Sequence, residues 1–152
     1  MDLQSTEIEL KKRWRYPYQW GRVQNDVWDR KSRFIYRTKT LEEVLSKANK
    51  IATNNQSFLN YCLNRWYNFW SAQAVEYMFV QHPLVQPAAD RKDKEKDFFI
   101  QGIPFDHKTT VLPKGYGHTL SFVNKRKTAL CRWFYDNQSQ QGRHHLKNRL
   151  FV

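Results

Sequence analysis

The sequence predicts an α/β (α+β) fold in which a small β-sheet is flanked by helices. Apolar residues recur with helical spacing in three segments, 41–51, 57–79 and 119–137. Between the second and third segments lies DFFIQGIPFDHKTTVL (97–112), whose Phe, Ile, Thr and Val content predicts two strands. At 152 residues the chain is long enough to bury one core, and we expect a single domain over 1–152, with its core at 57–152.

The charge balance points to a polyanionic partner. The chain has 26 Lys plus Arg against 14 Asp plus Glu, a net charge of +12. Each cation that contacts a phosphate releases condensed counterions, so an excess of this size favours nucleic acid. A basic protein with an ordinary solvated surface has the same charge. Aromatic residues make up 16% of the chain, which excludes a disordered basic tail, so the charge belongs to a folded body.

Residues 1–39 are predicted to form a basic, aromatic N-terminal arm. Its part from 11 to 39 has ten Lys or Arg against Asp26 and Asp29, and Pro17 and Gly21 interrupt any long helix. Two interpretations stay open. The arm's cations face phosphate while its aromatic rings pack on the body, or the rings only anchor an extended arm to the core.

The three predicted helices differ in character. Thr40 and Glu43 form a capping box that starts the first helix. The second, from about Ser57 to about Phe79, is apolar almost all round and is expected to be buried on several sides. The third runs from about Thr119 to Asn137 and places four apolar residues on one face, namely Leu120, Val123, Leu130 and Phe134.

The cysteines and hydropathy predict a reduced, soluble, cytoplasmic protein without membrane contact. Cys62 and Cys131 are far apart in apolar helical patterns, which is typical of reduced core residues and not of a zinc site. No apolar run reaches 18 residues, and the first residues lack the apolar segment of a signal peptide.

The two predicted strands form a hairpin if Gln101-Gly102 is a two-residue turn. Ile100 then faces Ile103, Phe98 faces Phe105, and Asp97 falls opposite Asp106. Lys108 shares the side of the two acids because side chains alternate along a strand. The four apolar residues and His107 point to the other side, toward the core, where a packed histidine is expected.

This arrangement has two chemical interpretations. Opposed side chains have their Cβ atoms ~4.5–5.5 Å apart, so Asp97 and Asp106 repel each other unless a cation lies between them. Lys108 neutralises part of that charge in a cross-strand ion cluster on a solvent-facing sheet. Alternatively the two carboxylates hold Mg²⁺ (or Mn²⁺), which binds one or two carboxylates together with water and phosphate oxygens. Spacing alone leaves both open.

The run from Asp97 through Asp106-x-Lys108 resembles the PD-(D/E)xK superfamily of restriction-endonuclease-like nucleases. That family's core runs helix, three antiparallel strands, helix and fourth strand, which implies a restriction-endonuclease-like core with a mixed sheet. The order here is similar: helix 57–79, hairpin 97–112, helix 119–137 and a strand beginning at 149. Lys96 replaces the family's Pro, and the central acid is Asp106 where many members have Glu. The chain stops at Val152, so we expect an incomplete last strand.

The resemblance also implies roles for residues outside the hairpin. A carboxylate on the first core helix often joins the metal site in this family, and Glu76 matches that position. A solvent-facing helix residue is the other interpretation of Glu76, because Ser71 and Gln73 give this stretch a polar side. Four cations near the site in sequence are predicted to line a DNA groove, although each is also typical of a solvated surface: Lys114, Lys125, Arg126 and Lys127.

Three functions are compatible with these features. The first is a metal-dependent DNA endonuclease, with Asp97, Asp106 and Glu76 as metal ligands and Lys108 as the catalytic cation. The second is a nucleic-acid-binding module of the same fold without activity. The third is a structural protein whose basic surface contacts another protein. For the first function, cutting both strands would be simplest for a homodimer.

Overall fold

The computed structural model describes a mixed α+β protein. It covers residues 1–18, 27–90, 93, 95–109, 112–137 and 148–152; of Lys114, only the backbone is described. Over these ranges the chain has six α-helices and a four-stranded mixed sheet. It divides into two compact units, Met1–Phe79 and Val80–Val152, which are described separately below.

The first unit is helical. Its described part has four α-helices and two short 3-10 helices, Arg13–Arg15 and Arg33–Tyr36. The α-helices are α1 (Leu3–Lys12), α2 (Val27–Lys31), α3 (Leu41–Ile51) and α4 (Gln56–Phe79).

Two of the sequence predictions for this unit are confirmed. The helix start predicted at Thr40 is present, because the Thr40 side chain accepts a hydrogen bond from the Glu43 backbone N–H at 3.4 Å. The reciprocal half of the capping box is not formed, since the Glu43 carboxylate lies 2.6 Å from Lys47 Nζ instead. The long helix is also confirmed, since α4 begins within one residue of the predicted start and ends at Phe79. The predicted burial of α4 on several sides is found only as far as Trp66. From Tyr67 onward the side chains of α4 are partly or fully exposed. The second half of α4 is therefore more solvated than its apolar composition indicates.

The core of the first unit lies where α3, α4 and the 3-10 helix Arg33–Tyr36 pack together. Its members are fully or almost fully removed from solvent: Ile35, Leu41, Val44, Ala48, Phe58, Cys62, Leu63 and Trp66. Burying each large apolar side chain contributes about 1.5–3 kcal/mol. The Trp66 indole N–H is satisfied by the Thr38 carbonyl at 2.8 Å, so the largest core residue carries no unpaired donor.

The N-terminal segment contributes to this core and is helical where it is described. Residues 3–15, 27–31 and 33–36 form helices, so the extended arm, one of the two interpretations left open, is not found there. Arg13 is buried and donates to Asn64 Oδ1 of α4 at 2.5 Å and to the Tyr16 carbonyl at 2.7 Å. Burial lowers the pKa of Arg13, and the nearby Tyr18 and Tyr67 partly oppose this effect. Residues 19–26, part of the predicted arm, lie outside the described residues.

The second unit is built on a sheet with the strand order β1-β2-β3-β4. The strands are β1 (Val85–Pro87), β2 (Phe98–Ile100), β3 (Ile103–Lys108) and β4 (Arg149–Phe151). The pairs β1–β2 and β2–β3 are antiparallel, and β3–β4 is parallel. The sequence did not predict β1, whose Pro87 sits on the edge strand, where no ladder donor is needed.

The predicted hairpin register is confirmed. Ile100 pairs with Ile103 and Phe98 pairs with Phe105. Gln101 and Gly102 form the turn with φ of 50° and 81°, the two positive values that a type I′ turn requires. Phe98 is fully buried as expected, but Ile103 at the tip of the hairpin is exposed, contrary to the prediction. The predicted strand end at 110–111 lies outside the described residues.

The third predicted helix is two helices, α5 (Leu120–Lys125) and α6 (Lys127–Asn137). The chain leaves helical geometry at Arg126, with φ −137° and ψ 49°. The break interrupts the predicted single helix, and of its predicted apolar face Leu130 and Phe134 are partly buried. Val123 is buried, whereas Leu120 is exposed. No Pro or Gly lies at the break, so the sequence carries no signal for it.

No helix in the described ranges is long and apolar enough to cross a lipid bilayer.

Candidate metal centre on the sheet

The candidate site lies on β3, where Asp106 and Lys108 share one face. Their side chains are in contact, with Lys108 Nζ 2.5 Å from Asp106 Oδ1. The Asp106 side chain is 10% exposed and that of Lys108 is 46% exposed, so the carboxylate is covered while the ammonium reaches solvent. The predicted proximity of these two residues is therefore present in the structure.

Asp106 contacts a second cation, which no local sequence pattern indicates. Arg149 of β4 is its register partner in the parallel pair, and Arg149 Nε lies 3.1 Å from Asp106 Oδ2. The Arg149 side chain is only 8% exposed, so the ion pair is buried. Forty-three residues separate the two in sequence, and no local pattern states which β4 residue pairs with Asp106.

Asp97 contacts β3 through the backbone of that strand, at Phe105 and His107 on either side of Asp106. Its carboxylate Oδ2 accepts the backbone N–H of His107 at 2.6 Å, and its own N–H donates to the Phe105 carbonyl at 2.9 Å. The Asp97 carboxylate thus sits against β3, beside the amide that follows Asp106. The predicted separation between the two carboxyl groups stays a prediction.

His107 is packed, as predicted. It is buried on the face of β3 opposite Asp106, with its ring centroid 6.4 Å from that of Phe98. Its backbone N–H, and not its side chain, makes the contact with Asp97. The imidazole therefore belongs to the apolar side of the hairpin.

The charges of this cluster balance. Asp97 and Asp106 carry two negative charges, and Lys108 and Arg149 carry two positive charges. The donor chemistry fits Mg²⁺, which prefers carboxylate oxygens. Both Asp106 oxygens already contact a cation, so an incoming ion would share these oxygens with Lys108 and Arg149 or displace one of the two. Among the described residues, no group of three or more His, Cys, Asp or Glu side chains is placed to hold a metal ion. The candidate centre consequently rests on two carboxylates.

Glu76, the predicted auxiliary ligand, belongs to the first unit. It lies in the last turn but one of α4, is partly exposed, and its Oε2 accepts a hydrogen bond from Gln73 Nε2 at 3.0 Å. This i,i+3 contact fits the solvent-facing helix residue of the second interpretation. A part in metal binding stays a prediction.

The predicted DNA-contacting cations that can be placed are exposed. Lys125 ends α5, Lys127 begins α6, and Arg126 lies at the break between them. The Arg126 guanidinium carbon is 5.2 Å from the centroid of the Phe122 ring, a cation–π contact that holds the side chain near α5. The side chain of Lys114 lies outside the described residues. The DNA contact of all four residues stays a prediction.

Comparison with protein-family models, with curated proteins and with solved structures gives no significant match to this chain.

Proposed function

We propose that the chain is a divalent-metal-dependent endonuclease that hydrolyses phosphodiester bonds in DNA. The observation that carries the proposal is the contact between Asp106 and Lys108 on one face of β3, with the Asp97 carboxylate bound to the next backbone amide of the same strand. Two acids and a solvent-reaching lysine around one strand are the groups that metal-assisted phosphodiester hydrolysis needs.

The order of elements supports the proposal. Along the chain, α4 is followed by three antiparallel strands, by α5 and α6, and by a fourth strand parallel to the third. This is the order that the resemblance to PD-(D/E)xK nucleases implies. The net charge of +12 supports a nucleic acid as the substrate.

The residues have distinct roles in this proposal. Asp97 and Asp106 would hold Mg²⁺ or Mn²⁺. An ion held there would supply a water molecule of lowered pKa and would neutralise charge on the phosphate. Hydrolysis forms a bond from the water oxygen to phosphorus and breaks a P–O ester bond. The Lys108 ammonium orients the attacking water or stabilises the added negative charge.

Plasmid cleavage tests the proposal. With Mg²⁺ or Mn²⁺ the full chain is expected to nick or linearise plasmid DNA, and Asp106→Ala or Lys108→Ala to abolish cleavage. Asp136→Asn is the matched control, because Asp136 is an exposed acid of α6 in the same unit. A Mn²⁺-soaked crystal would show density at Asp97 and Asp106. Metal-dependent binding without cleavage over a long incubation would contradict the proposal.

A second candidate is a nucleic-acid-binding module without activity. One observation favours it: both oxygens of Asp106 already contact cations, Lys108 and Arg149, so the cluster forms an ion network without a metal. Binding that falls steeply with salt, is indifferent to EDTA and survives Asp97→Asn would select this function.

Sedimentation of the protein with and without duplex DNA would test the homodimer that double-strand cleavage favours.

A further inference from the structure

A second basic surface, remote in sequence from the hairpin, lies on the first unit. It is a groove of about 520 Å³ lined by Arg33, Phe34, Tyr36, Arg37 and Lys47, which we call the basic groove. Three of its five lining residues are cations, two are aromatic, and none is acidic. The combination of cations with rings is the one that proteins use to hold single-stranded nucleic acid.

The 3-10 helix Arg33–Tyr36 fixes the shape of the groove. Ile35 is fully buried in the core and anchors the turn from below. Side chains three residues apart eclipse each other in a 3-10 helix, so Arg33 and Tyr36 lie on the same side. The Thr38 hydroxyl closes the end of the turn by donating to the Phe34 carbonyl at 2.9 Å.

Tyr36 is an exposed ring that is held in place. It is 43% exposed, yet its hydroxyl accepts a hydrogen bond from Arg65 Nη2 at 2.6 Å. The Phe69 ring packs edge-on against it, with centroids 4.8 Å apart. A ring already fixed by two neighbours loses little conformational entropy when it stacks on a base.

The cations of the groove are available to an anion. Arg33 and Arg37 are exposed, and neither forms an ion pair with another residue that the structure describes. Lys47 Nζ lies 2.6 Å from Glu43 Oε1. Both side chains of that pair are 40% or more exposed, so the pair contributes little energy and exchanges readily for a phosphate.

We infer that the basic groove binds single-stranded nucleic acid, with Arg33 and Arg37 on backbone phosphates and a base stacked on Tyr36. Bases in a duplex are stacked on each other and offer no face to a tyrosine ring, which favours a single strand. The inference goes beyond the proposed function by adding a surface for a single strand, and it rests on that function only for DNA as the polymer.

Fluorescence anisotropy with a labelled oligothymidine strand tests this, using the full chain in EDTA so that no cleavage occurs. Arg33→Gln/Arg37→Gln is expected to weaken binding at low salt by more than about 10-fold and to lower the slope of log K against log salt by about 1.4. Arg15→Gln/Lys50→Gln is the matched control. It removes the same charge from exposed positions of the same unit outside the groove, and its loss is expected to be smaller.

The tyrosine is tested separately. Tyr36→Leu is expected to weaken strand binding by about 5-fold or more, whereas Tyr36→Phe keeps the ring and its stacking. Circular dichroism of each variant checks that the fold is retained. Equal binding by the groove double variant and its control would overturn the inference, as would equal binding by the leucine and phenylalanine variants. Cleavage is measured independently of binding. Strand binding that depends on the groove, without any cleavage, would reject only the proposed nuclease activity. Cleavage together with binding that the groove variants leave unchanged would reject only the role of the groove.

Discussion

Arg149 and Asp106 are register partners in the parallel pair β3–β4, and their side chains form an ion pair with Nε 3.1 Å from Oδ2. Both side chains are almost completely removed from solvent, unlike that of Lys108 on the same carboxylate. A buried ion pair is costly to break, because the remaining charge stays desolvated. The pair therefore ties the short last strand to the rest of the sheet.

Arg149→Met is expected to lower the free energy of unfolding by about 2–4 kcal/mol. This is less than the cost of leaving a buried carboxylate without any cation, because Lys108 still contacts Asp106. Asp106→Asn/Arg149→Met should cost less than the sum of the two single variants. Urea denaturation followed by far-UV circular dichroism measures both. Arg132→Met, on the exposed surface of α6, makes the same chemical change and is expected to alter stability by less than about 0.5 kcal/mol. Equal effects of Arg149→Met and Arg132→Met would exclude a role for the pair in holding β4.

The hairpin could be predicted because its signals are local. The alternation of residues 98–105 and the glycine of the turn fix which residues pair, and the observed register follows them. The N-cap at Thr40 could be predicted for the same reason. Elements whose information is contained in a few adjacent residues are therefore well predicted in this chain.

The features that the sequence did not reveal depend on distant contacts. Arg149 reaches Asp106 only because β4 pairs with β3 in parallel, and β1 exists only because β2 offers it an edge. The helix break at Arg126 has no Pro or Gly to mark it. The helical structure of residues 3–15 depends partly on α4, where Asn64 accepts from the buried Arg13. Tertiary pairing, and not local propensity, decides each of these cases.

The turn of the hairpin provides a second prediction. Gly102 has φ of 81°, and a Cβ added there would meet no atom within 4 Å, so Gly102→Ala is penalised by backbone strain alone. We expect a loss of about 1 kcal/mol. Gln101→Asn is expected to raise stability, because Asn tolerates the left-handed region better than Gln. Thermal denaturation measures both changes.

Gly115→Ala is the matched control for that turn. A Cβ at Gly115 would lie 3.7 Å from Trp133 Cζ2, an ordinary contact, and Gly115 does not have the positive φ of Gly102. Its substitution is expected to change stability by less than about 0.5 kcal/mol. If Gly102→Ala were as stable as the unmodified protein, the left-handed turn would not be the feature that sets the register.

The two cysteines, both predicted to be core residues, provide a third prediction. Cys62 is buried as predicted, whereas Cys131 is exposed on α6, contrary to the prediction. A thiol reagent such as DTNB at pH 8 is expected to modify one thiol in the native protein and both after denaturation. Cys131→Ser should abolish the native reaction, and Cys62→Ser should leave it unchanged. Fast modification of both thiols in the native protein would contradict this assignment.

The burial of the Cys62 thiol also makes the stability of the protein depend on pH. Desolvation raises the pKa of Cys62 to about 12, although the nearby Arg65 partly opposes the shift. The unfolded thiol, with a pKa near the ordinary value of 9.0, loses its proton first as the pH rises. The unfolded state then binds fewer protons than the native state, so the free energy of unfolding falls with pH in this range. The contribution is complete below pH 9 and is lost progressively up to pH 12. Urea denaturation at pH 7 and pH 10.5 measures how much free energy of unfolding is lost between the two pH values. This loss should be smaller for Cys62→Ala than for the unmodified protein. An identical loss in both would show that Cys62 titrates in the native state as it does when unfolded.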